Sequence, residues 1–339
     1  MKKKRESLLK YLRRNVDKVS YKKRAAFVCV HNSCRSQIAE VLEKLVKLGG
    51  SMDFKRYSSV QEFYNDTYEI LMRHEAQNMI LLGNLIIGVE GKDKTDWRDP
   101  INWLMATVSD EGKILLTALM TPPHNLTLYS TDNELRPEAL DCLIEGLGGE
   151  NIPGVMAEKA LAQTFADKYA AIKGLSYSMK TNQRIYNLES VSPNIERKGE
   201  IRPASSKDMH FLPYWLSAFS SGEEYGKLEM TIPQDSKAAQ YMIDSGRLYV
   251  LEVDRSPVSM AGFTRELPTS IGVAYVYTPP YFQRNGYASS TVAQLSQLAL
   301  DKGYKRCVLY TDLSNPTSNS IYLKIGYVPV CDSLVLKFE

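Results

Sequence analysis

The spacing of apolar residues divides the chain into two successive series of predicted helices and strands. In the first series, residues 102–130 alternate between apolar and polar positions in three short segments, which predicts an antiparallel meander. The other elements predicted before residue 190 are helices over 5–18, 58–88, 137–147 and 155–172 and strands over 25–30 and 175–188.

The second series begins at Glu200 and runs strand, helix, helix, three strands, helix, strand, helix, strand. Alternation within 248–278 predicts the three strands, and one apolar side of 286–302 predicts the amphipathic helix that follows. Asn315 and Pro316 have the cap and first-turn chemistry of a further helix. Strands and helices in this order predict an α/β (α+β) fold, with a mixed sheet flanked by helices.

The length of 339 residues is enough for about two packed domains. Residues 190–199 combine Ser, Pro, Asn and Gly between structured segments, which is typical of a linker. Thr-Pro-Pro follows a meander strand in each half, and the matching element order is consistent with an ancient duplication. The sequence therefore predicts three parts, a basic leader over 1–50, a first lobe over 51–198 and a second domain over 199–339.

Charge is distributed unevenly. Residues 1–50 contain 14 Lys/Arg and 4 Asp/Glu, so the remainder carries a net charge of −7 within the overall +3. An acidic body disfavours a nucleic-acid platform. No apolar stretch approaches the roughly 20 residues that cross a bilayer, and no secretory signal is recognisable, so we expect a cytoplasmic protein with no membrane partner. Five cysteines without a repeated CxxC spacing disfavour a disulfide framework, and we expect no metal.

The strongest chemical pattern lies between a predicted strand and a predicted helix. Gly286 removes a Cβ where an anion would approach the backbone, and Arg284 adds a cation. A helix start offers unpaired N–H groups and the positive end of the helix dipole, so this loop predicts an anion site. The alternative is a simple glycine turn. The whole segment is Gln283, Arg284, Asn285, Gly286, Tyr287 and Ala288.

Two motifs in this part of the chain resemble the GNAT superfamily of acetyl-coenzyme A dependent N-acetyltransferases. The first, [Gln/Arg]-x-x-Gly-x-[Gly/Ala], is matched at Gln283, Gly286 and Ala288. The second, Asn…Ser/Ala…Tyr…Gly-[Phe/Tyr], is matched over 315–327, and residues 201–208 look like the family's first strand and helix. The motifs occur in the family's order and spacing, which makes a chance match improbable.

This resemblance covers residues 199–339, while residues 51–198 look like the degenerate half of two-lobed members. It implies a two-lobed GNAT fold with a mixed, mostly antiparallel sheet. It also implies that acetyl passes from acetyl-CoA, as co-substrate, to a primary amine by direct attack. The acceptor would be a small-molecule or peptide amine, and its identity and the oligomeric state stay open. We expect the first lobe to shape the acceptor side of the cleft.

The same resemblance implies roles for particular residues. Backbone N–H groups of residues 284–288 would bind the coenzyme A pyrophosphate, and the strand ending at Val276 and Thr278 would pair with the pantetheine arm. The next strand would diverge at residues 310–312 and open a cleft for the acetyl group. Tyr322 is then the candidate acid that protonates the leaving thiolate, or else a packing tyrosine.

Two further assignments stay open. By analogy with the family, Asn315 would contact the coenzyme; the alternative is that it only caps the helix that it precedes. Glu252 and Glu266 lie on or beside central strands, but each can equally be an exposed strand carboxylate. Because many family members use ordered water, we assign no general base.

A second oxyanion motif lies in the leader. The pattern C-x5-R-S, at Cys29, Arg35 and Ser36, resembles the start of arsenate reductases of the low-molecular-weight phosphatase type. In such a loop the N–H groups and the arginine lower the cysteine pKa, so that the thiolate can attack. Too little of that fold follows to bury a core, so we expect a fused remnant with weak or no activity.

Two alternatives to an N-acetyltransferase therefore remain. One is a thiol-dependent arsenate reductase or phosphatase that uses Cys29. The other is a non-catalytic coenzyme A binding module that has lost its acid, although the presence of Tyr322 disfavours it mildly.

Overall fold

The computed structural model describes residues 52–91, 100–131, 135–222 and 232–339, and every structural statement below concerns those ranges. The predicted helix at 5–18, the strand at 25–30 and the Cys29 motif lie outside them. The strands are β1 Met52–Tyr57, β2 Leu104–Asp110, β3 Lys113–Met120, β4 Leu126–Ser130, β5 Gly154–Glu158, β6 Tyr177–Leu188, β7 Glu200–Pro203, β8 Leu248–Val253, β9 Ser256–Glu266, β10 Ser270–Tyr277, β11 Arg306–Asp312 and β12 Val328–Phe338. The helices are α1 Val60–Met72, α2 Met79–Glu90, α3 Pro137–Leu147, α4 Lys159–Lys173, α5 Leu212–Gly222, α6 Ile232–Asp244, α7 Tyr287–Asp301 and α8 Pro316–Ile325.

All the described strands belong to one mixed sheet, in the order β1-β2-β3-β4-β5-β12-β6-β11-β10-β9-β8-β7. Each half contributes an antiparallel meander of four strands, followed by one parallel pair, β4 with β5 and β10 with β11. The other pairs are antiparallel. The mixed, mostly antiparallel sheet flanked by helices confirms the predicted fold class.

The two halves exchange their last strands at the centre of the sheet. Strand β12, from the second half, pairs with β5 and β6, while β6, from the first half, pairs with β12 and β11. The predicted boundary between residues 198 and 199 stays a proposal about how the two halves of the sequence arose. It does not divide the sheet, because both neighbours of β6 are strands of the second half. The repeated strand order on either side of the β6–β12 pair is also what a duplication would produce.

The helices cover both faces of the sheet in four apolar clusters. On one face α3 and α4 pack in one cluster, and α7 and α8 pack in another around Val292, Leu295 and Ile325. On the opposite face α1 and α2 pack around Phe63, while α5 and α6 form the fourth cluster around Leu216. Alternate residues of a strand separate the faces: Leu309 of β11 joins the α7 cluster and its neighbour Val308 joins the α1 cluster.

Some predicted elements differ from the structure. The single helix predicted over 58–88 is two helices, because the polar stretch at residues 73–78 forms a turn between α1 and α2. The helix predicted over 155–172 begins later, since residues 154–158 form β5. Glu158 ends that strand and caps α4 by accepting hydrogen bonds from the N–H groups of Ala160 and Leu161. The apolar run of β5 is so short that it fits the periodicity of a strand and that of a helix equally well.

Contacts also join the first-half helices to second-half strands. The buried carboxylate of Glu75 accepts hydrogen bonds from the N–H and the hydroxyl of Thr269, in the turn between β9 and β10. The Tyr310 hydroxyl donates to the Gln77 carbonyl at 3.3 Å. None of the described helices is long and apolar enough to cross a membrane.

Candidate active site

Strands β10 and β11 separate part-way along their length. They pair only from Ser270–Gly272 with Arg306–Val308, although β10 continues to Tyr277 and β11 to Asp312. Beyond that point β10 stays paired with β9, and β11 stays paired with β6 as far as Asp312. The divergence expected at residues 310–312 is therefore present, and it leaves an edge of β10 open toward a cleft.

A bulge in β10 sets which side chains line this edge. The register with β9 shifts between Ala274 and Tyr277, and Tyr275 has a positive φ of 57°. The bulge turns Tyr275 and Tyr277 toward α5, where their rings lie 5.7 Å from Phe219 and 6.1 Å from Trp215. Val276 packs instead on the α7 side. One face of the cleft is consequently aromatic, while the other faces the predicted anion loop.

The predicted anion loop follows directly. Gly286 is the N-cap of α7 with φ 79°, a left-handed conformation that favours glycine, and Arg284 is also left-handed with φ 64°. No side chain caps this helix start. The free N–H groups of the first turn of α7 therefore point into an exposed loop, which is the geometry that binds anions at helix starts.

Two predicted residues of this loop hold its shape. The Gln283 amide donates to the Thr278 carbonyl at 3.1 Å, and the Asn285 amide donates to the carbonyls of Phe282 and Gln283. The Thr278 hydroxyl is hydrogen bonded to Ser259 at 2.8 Å. Tyr287 and Ala288 begin α7. The side chains of Gln283 and Asn285 are thus used within the loop, and its backbone remains available to a ligand.

Tyr322 lies on α8, on the same face of the sheet as the anion loop. Its side chain is 7% exposed and belongs to the α7–α8 apolar cluster. Its ring contacts Tyr186 of β6 and Tyr327, with centroids 6.2 Å and 5.9 Å away. The structure therefore gives Tyr322 a packing role and places it on the helix that follows the diverging strand; the acid role stays a prediction.

Polar contacts tie α8 to the end of that strand. The Asn319 amide donates to the carbonyls of Asp312 and Asn315, each at 2.8 Å, and its oxygen accepts from the Tyr186 hydroxyl at 3.0 Å. Asn315 caps α8 by accepting from the Ser318 N–H at 3.0 Å. Capping is thus an observed role of Asn315, and a coenzyme contact remains a proposal. Asn319, which the sequence analysis did not single out, also joins these elements.

The two carboxylates weighed as bases both have partners. Glu252 forms an ion pair with Arg202 at 2.7 Å, and Glu266 accepts from the Tyr304 hydroxyl at 2.5 Å. Burial, and then the hydrogen bond to Glu266, raises the pKa of Tyr304 to about 12. Neither contact shows a carboxylate free to accept a proton from an amine, and the general base stays unassigned.

The described thiols are unsuited to nucleophilic chemistry. Burial raises the pKa of the Cys307 thiol to about 12 and that of Cys331 to about 11, so both are protonated at neutral pH. Within the ranges that the structure describes, no group of three or more His, Cys, Asp or Glu residues could hold a metal ion. Among the described residues, the groups that face this edge of β10 include the backbone donors at the start of α7 and the hydroxyl of Thr278.

Comparison with known proteins supports a family assignment for one region of the chain. Residues 213–327 match the family model described as "Acetyltransferase (GNAT) family". This chain carries a GNAT domain. The matched region includes the diverging strands, the anion loop and Tyr322, so the GNAT resemblance is confirmed for this region. The GNAT family supports acyl transfer in general. The Cys29 motif lies outside the matched residues.

Solved structures show the same fold. A GCN5-related N-acetyltransferase from Sphaerobacter thermophilus is 12% identical with a TM-score of 0.54, over 84% of this chain and 95% of that one. A Drosophila protein is 11% identical with a TM-score of 0.58, over 86% of this chain and 99% of that one. Both likenesses include the first half as well as the GNAT domain. No curated protein matches the chain.

Proposed function

We propose that this protein transfers the acetyl group of acetyl-CoA to the primary amine of a small molecule or peptide. One observation carries the proposal: the divergence of β10 from β11 opens a cleft beside the left-handed Gly286 loop, with the Tyr322 helix on the same face. We propose that one extended ligand spans the exposed start of α7, this edge of β10 and the hydroxyl of Tyr322.

In the proposed complex the N–H groups of residues 284–288 bind the pyrophosphate, with Arg284 as a nearby cation. The pantetheine arm lies along the open edge of β10 at Val276 and continues past its end to Thr278, and it pairs with the edge like an added strand. Asn315 is proposed to contact the coenzyme from the start of α8. These contacts would position the thioester between the separated strands.

The chemical step that we propose is a direct attack. The neutral amine nitrogen forms a bond to the thioester carbonyl carbon, backbone donors stabilise the oxyanion, and the carbon–sulfur bond then breaks. Tyr322 gives its hydroxyl proton to the departing thiolate, and the proton released from the new ammonium passes to water. Atoms and charge balance as acetylated amine and free coenzyme A, after Tyr322 regains a proton from solvent.

The first lobe is proposed to form the acceptor side of the cleft. The turn between α1 and α2 reaches β11, where Gln77 contacts Tyr310 on the face that also carries Tyr275 and Tyr277. A substrate approaching from that face would meet aromatic rings before it meets the thioester. Deleting residues 51–198 would not test this role, because the deletion removes β6, which lies between β11 and β12 in the sheet.

The test is a turnover assay on the full chain. Acetyl-CoA is mixed with single amines from several classes, such as a polyamine, an aminoglycoside and a lysine-containing peptide, and release of the coenzyme thiol is followed. We expect at least one amine to be acetylated, with mass spectrometry confirming the product. Acetyl-CoA binding without turnover on any amine would favour a non-catalytic coenzyme A binding module instead.

A further inference from the structure

Lys198 lies directly over the anion loop, although it comes from the linker before the GNAT domain. A Cβ built on Gly286 would be 3.7 Å from Lys198 Cε and 3.8 Å from both Cδ and Nζ. The ammonium group also lies 3.3 Å from the carboxylate of Glu196, which is 75% exposed. The first turn of α7 and a lysine cation thus face the same small space.

Buried polar groups of α7 fix the backbone of Lys198. The Ser290 hydroxyl, whose residue is fully buried, accepts from the Lys198 N–H at 2.8 Å and donates to the Lys198 carbonyl at 2.9 Å. Gln294 donates to the Gly199 carbonyl at 3.1 Å and to Ser290 at 3.0 Å, and accepts from the Ile201 N–H. Polar side chains are uncommon on the buried side of a helix unless they have such partners. The linker is therefore held in place before any ligand arrives.

We infer that Lys198 is a coenzyme-binding residue, which contacts the pyrophosphate held by the Gly286 loop. This inference rests on the proposed function. A lysine ammonium is a compact charge with three donors, and it binds phosphate oxygens without needing one fixed orientation. Glu196 is an exposed counter-ion whose place the phosphate takes when the ligand binds.

A consequence concerns the acetyl donor. Lys198 contacts only the diphosphate part of the donor, so it favours acetyl-CoA over an acetyl thioester that ends at pantetheine. Its neighbour Arg197 forms an ion pair with Glu200. The pair of adjacent cations therefore offers a matched comparison, in which the same charge is removed from the same segment.

The experiment measures binding by calorimetry with two donors, acetyl-CoA and S-acetylpantetheine. The full chain is used as wild type, Lys198→Met, Lys198→Arg and the control Arg197→Met. We expect Lys198→Met to weaken acetyl-CoA binding about tenfold or more, as for a lost charge-assisted hydrogen bond. The affinity for S-acetylpantetheine should stay unchanged. Lys198→Arg should keep most of the affinity, and Arg197→Met should bind acetyl-CoA within about twofold of wild type.

Equal acetyl-CoA binding by wild type and Lys198→Met would overturn the assignment, and so would an equal loss for both donors. In both cases the binding of acetyl-CoA by wild type would leave the proposed function standing. If wild type binds neither donor, the proposed function fails and this assignment fails with it.

A second variant tests how Lys198 is positioned. Ser290→Ala removes both hydrogen bonds to the Lys198 backbone, and we expect it to weaken acetyl-CoA binding in the wild-type background. In the Lys198→Met background the same change should cost little, because no cation remains to be placed. Strictly additive losses would show that Ser290 acts on general stability and not through Lys198.

Discussion

The ring of Tyr322 packs 6.2 Å from the ring of Tyr186, so β6 from the first half supports the candidate acid of the second half. The Tyr186 hydroxyl is fixed by Asn319, one turn before Tyr322 on α8. This arrangement packs the Tyr322 ring on the face that carries the anion loop. A residue in that position can be tested by removing its hydroxyl alone.

We expect Tyr322→Phe to lower kcat by about 100-fold, the lower end of what general acid catalysis contributes, with acetyl-CoA affinity nearly unchanged. The matched control is Tyr327→Phe. The buried Tyr327 hydroxyl is hydrogen bonded to Ser296 at 2.8 Å, so this variant should lose about 1–2 kcal/mol of stability and keep its kcat. If Tyr322→Phe turned over amine as fast as wild type, Tyr322 would be a packing residue only.

Asp208 gives the fold a pH-dependent contribution. Burial alone would raise the pKa of its carboxyl, but hydrogen bonds from Arg202 and from the Ser205 N–H outweigh burial and hold the pKa below its ordinary value of 3.8. A carboxyl with a lowered pKa stabilises the folded state above the unfolded pKa and loses that effect as the pH falls through the folded pKa.

Asp208→Asn should therefore cost about 2 kcal/mol of unfolding free energy at pH 7, and the difference from wild type should shrink steadily below pH 4. Urea unfolding at a series of pH values measures it. Glu69→Gln, at an exposed helix carboxylate, serves as the control with little expected change. A stability difference that stayed constant from pH 7 to pH 3 would contradict the ion-pair explanation.

The exchanged strands β6 and β12 predict that both halves unfold together. Leu336 of β12 is 1% exposed and belongs to the first-half cluster with α3 and α4, although it comes from the last residues of the chain. Leu336→Ala should cost about 2–5 kcal/mol and shift the unfolding of both halves equally. Fluorescent probes placed separately in each half would follow the unfolding of the two halves, and calorimetry would count the transitions. Two independent transitions, of which only one moved, would show that the halves are separate units.

The Cys29 motif yields an independent prediction, although it lies outside the described residues. We expect no reduction of arsenate with thioredoxin as electron donor, and we expect Cys29→Ser to leave acetyl transfer unchanged. An arsenate assay and an acetyl-transfer assay, each on wild type and on Cys29→Ser, test the two statements. Measurable turnover that disappears in Cys29→Ser would establish a second activity.

Local patterns predicted the local parts of this molecule. The meander strands β2, β3 and β4 of the first half and β8, β9 and β10 of the second follow from alternation, whereas β1 was not predicted. The start of α7 follows from a glycine, and the cap at Asn315 follows from an Asn-Pro pair. The short strand β5 was missed because Val155, Met156 and Ala157 fit the helix that follows equally well.

Contacts between distant residues could not be predicted in this way. The pairing of β12 with both β5 and β6 depends on which strand edges lack a partner after the two meanders form. No pattern within a few residues of the sequence contains this information. The same holds for the approach of Lys198 to Gly286. A polar Ser290 and Gln294 on the buried side of an amphipathic helix were the available signal, since buried polar residues need partners.

The central claim is that the Gly286 loop binds acetyl-CoA, and calorimetric titration of acetyl-CoA tests it most directly. The variants are Gly286→Glu and, as control, Gly303→Glu, because Gly303 is also left-handed with φ 100° but has open space around it. We predict micromolar binding by wild type and by Gly303→Glu, and none by Gly286→Glu, which puts a negative charge where the pyrophosphate would lie. Absence of binding by wild type, or equal binding by Gly286→Glu, would contradict the claim.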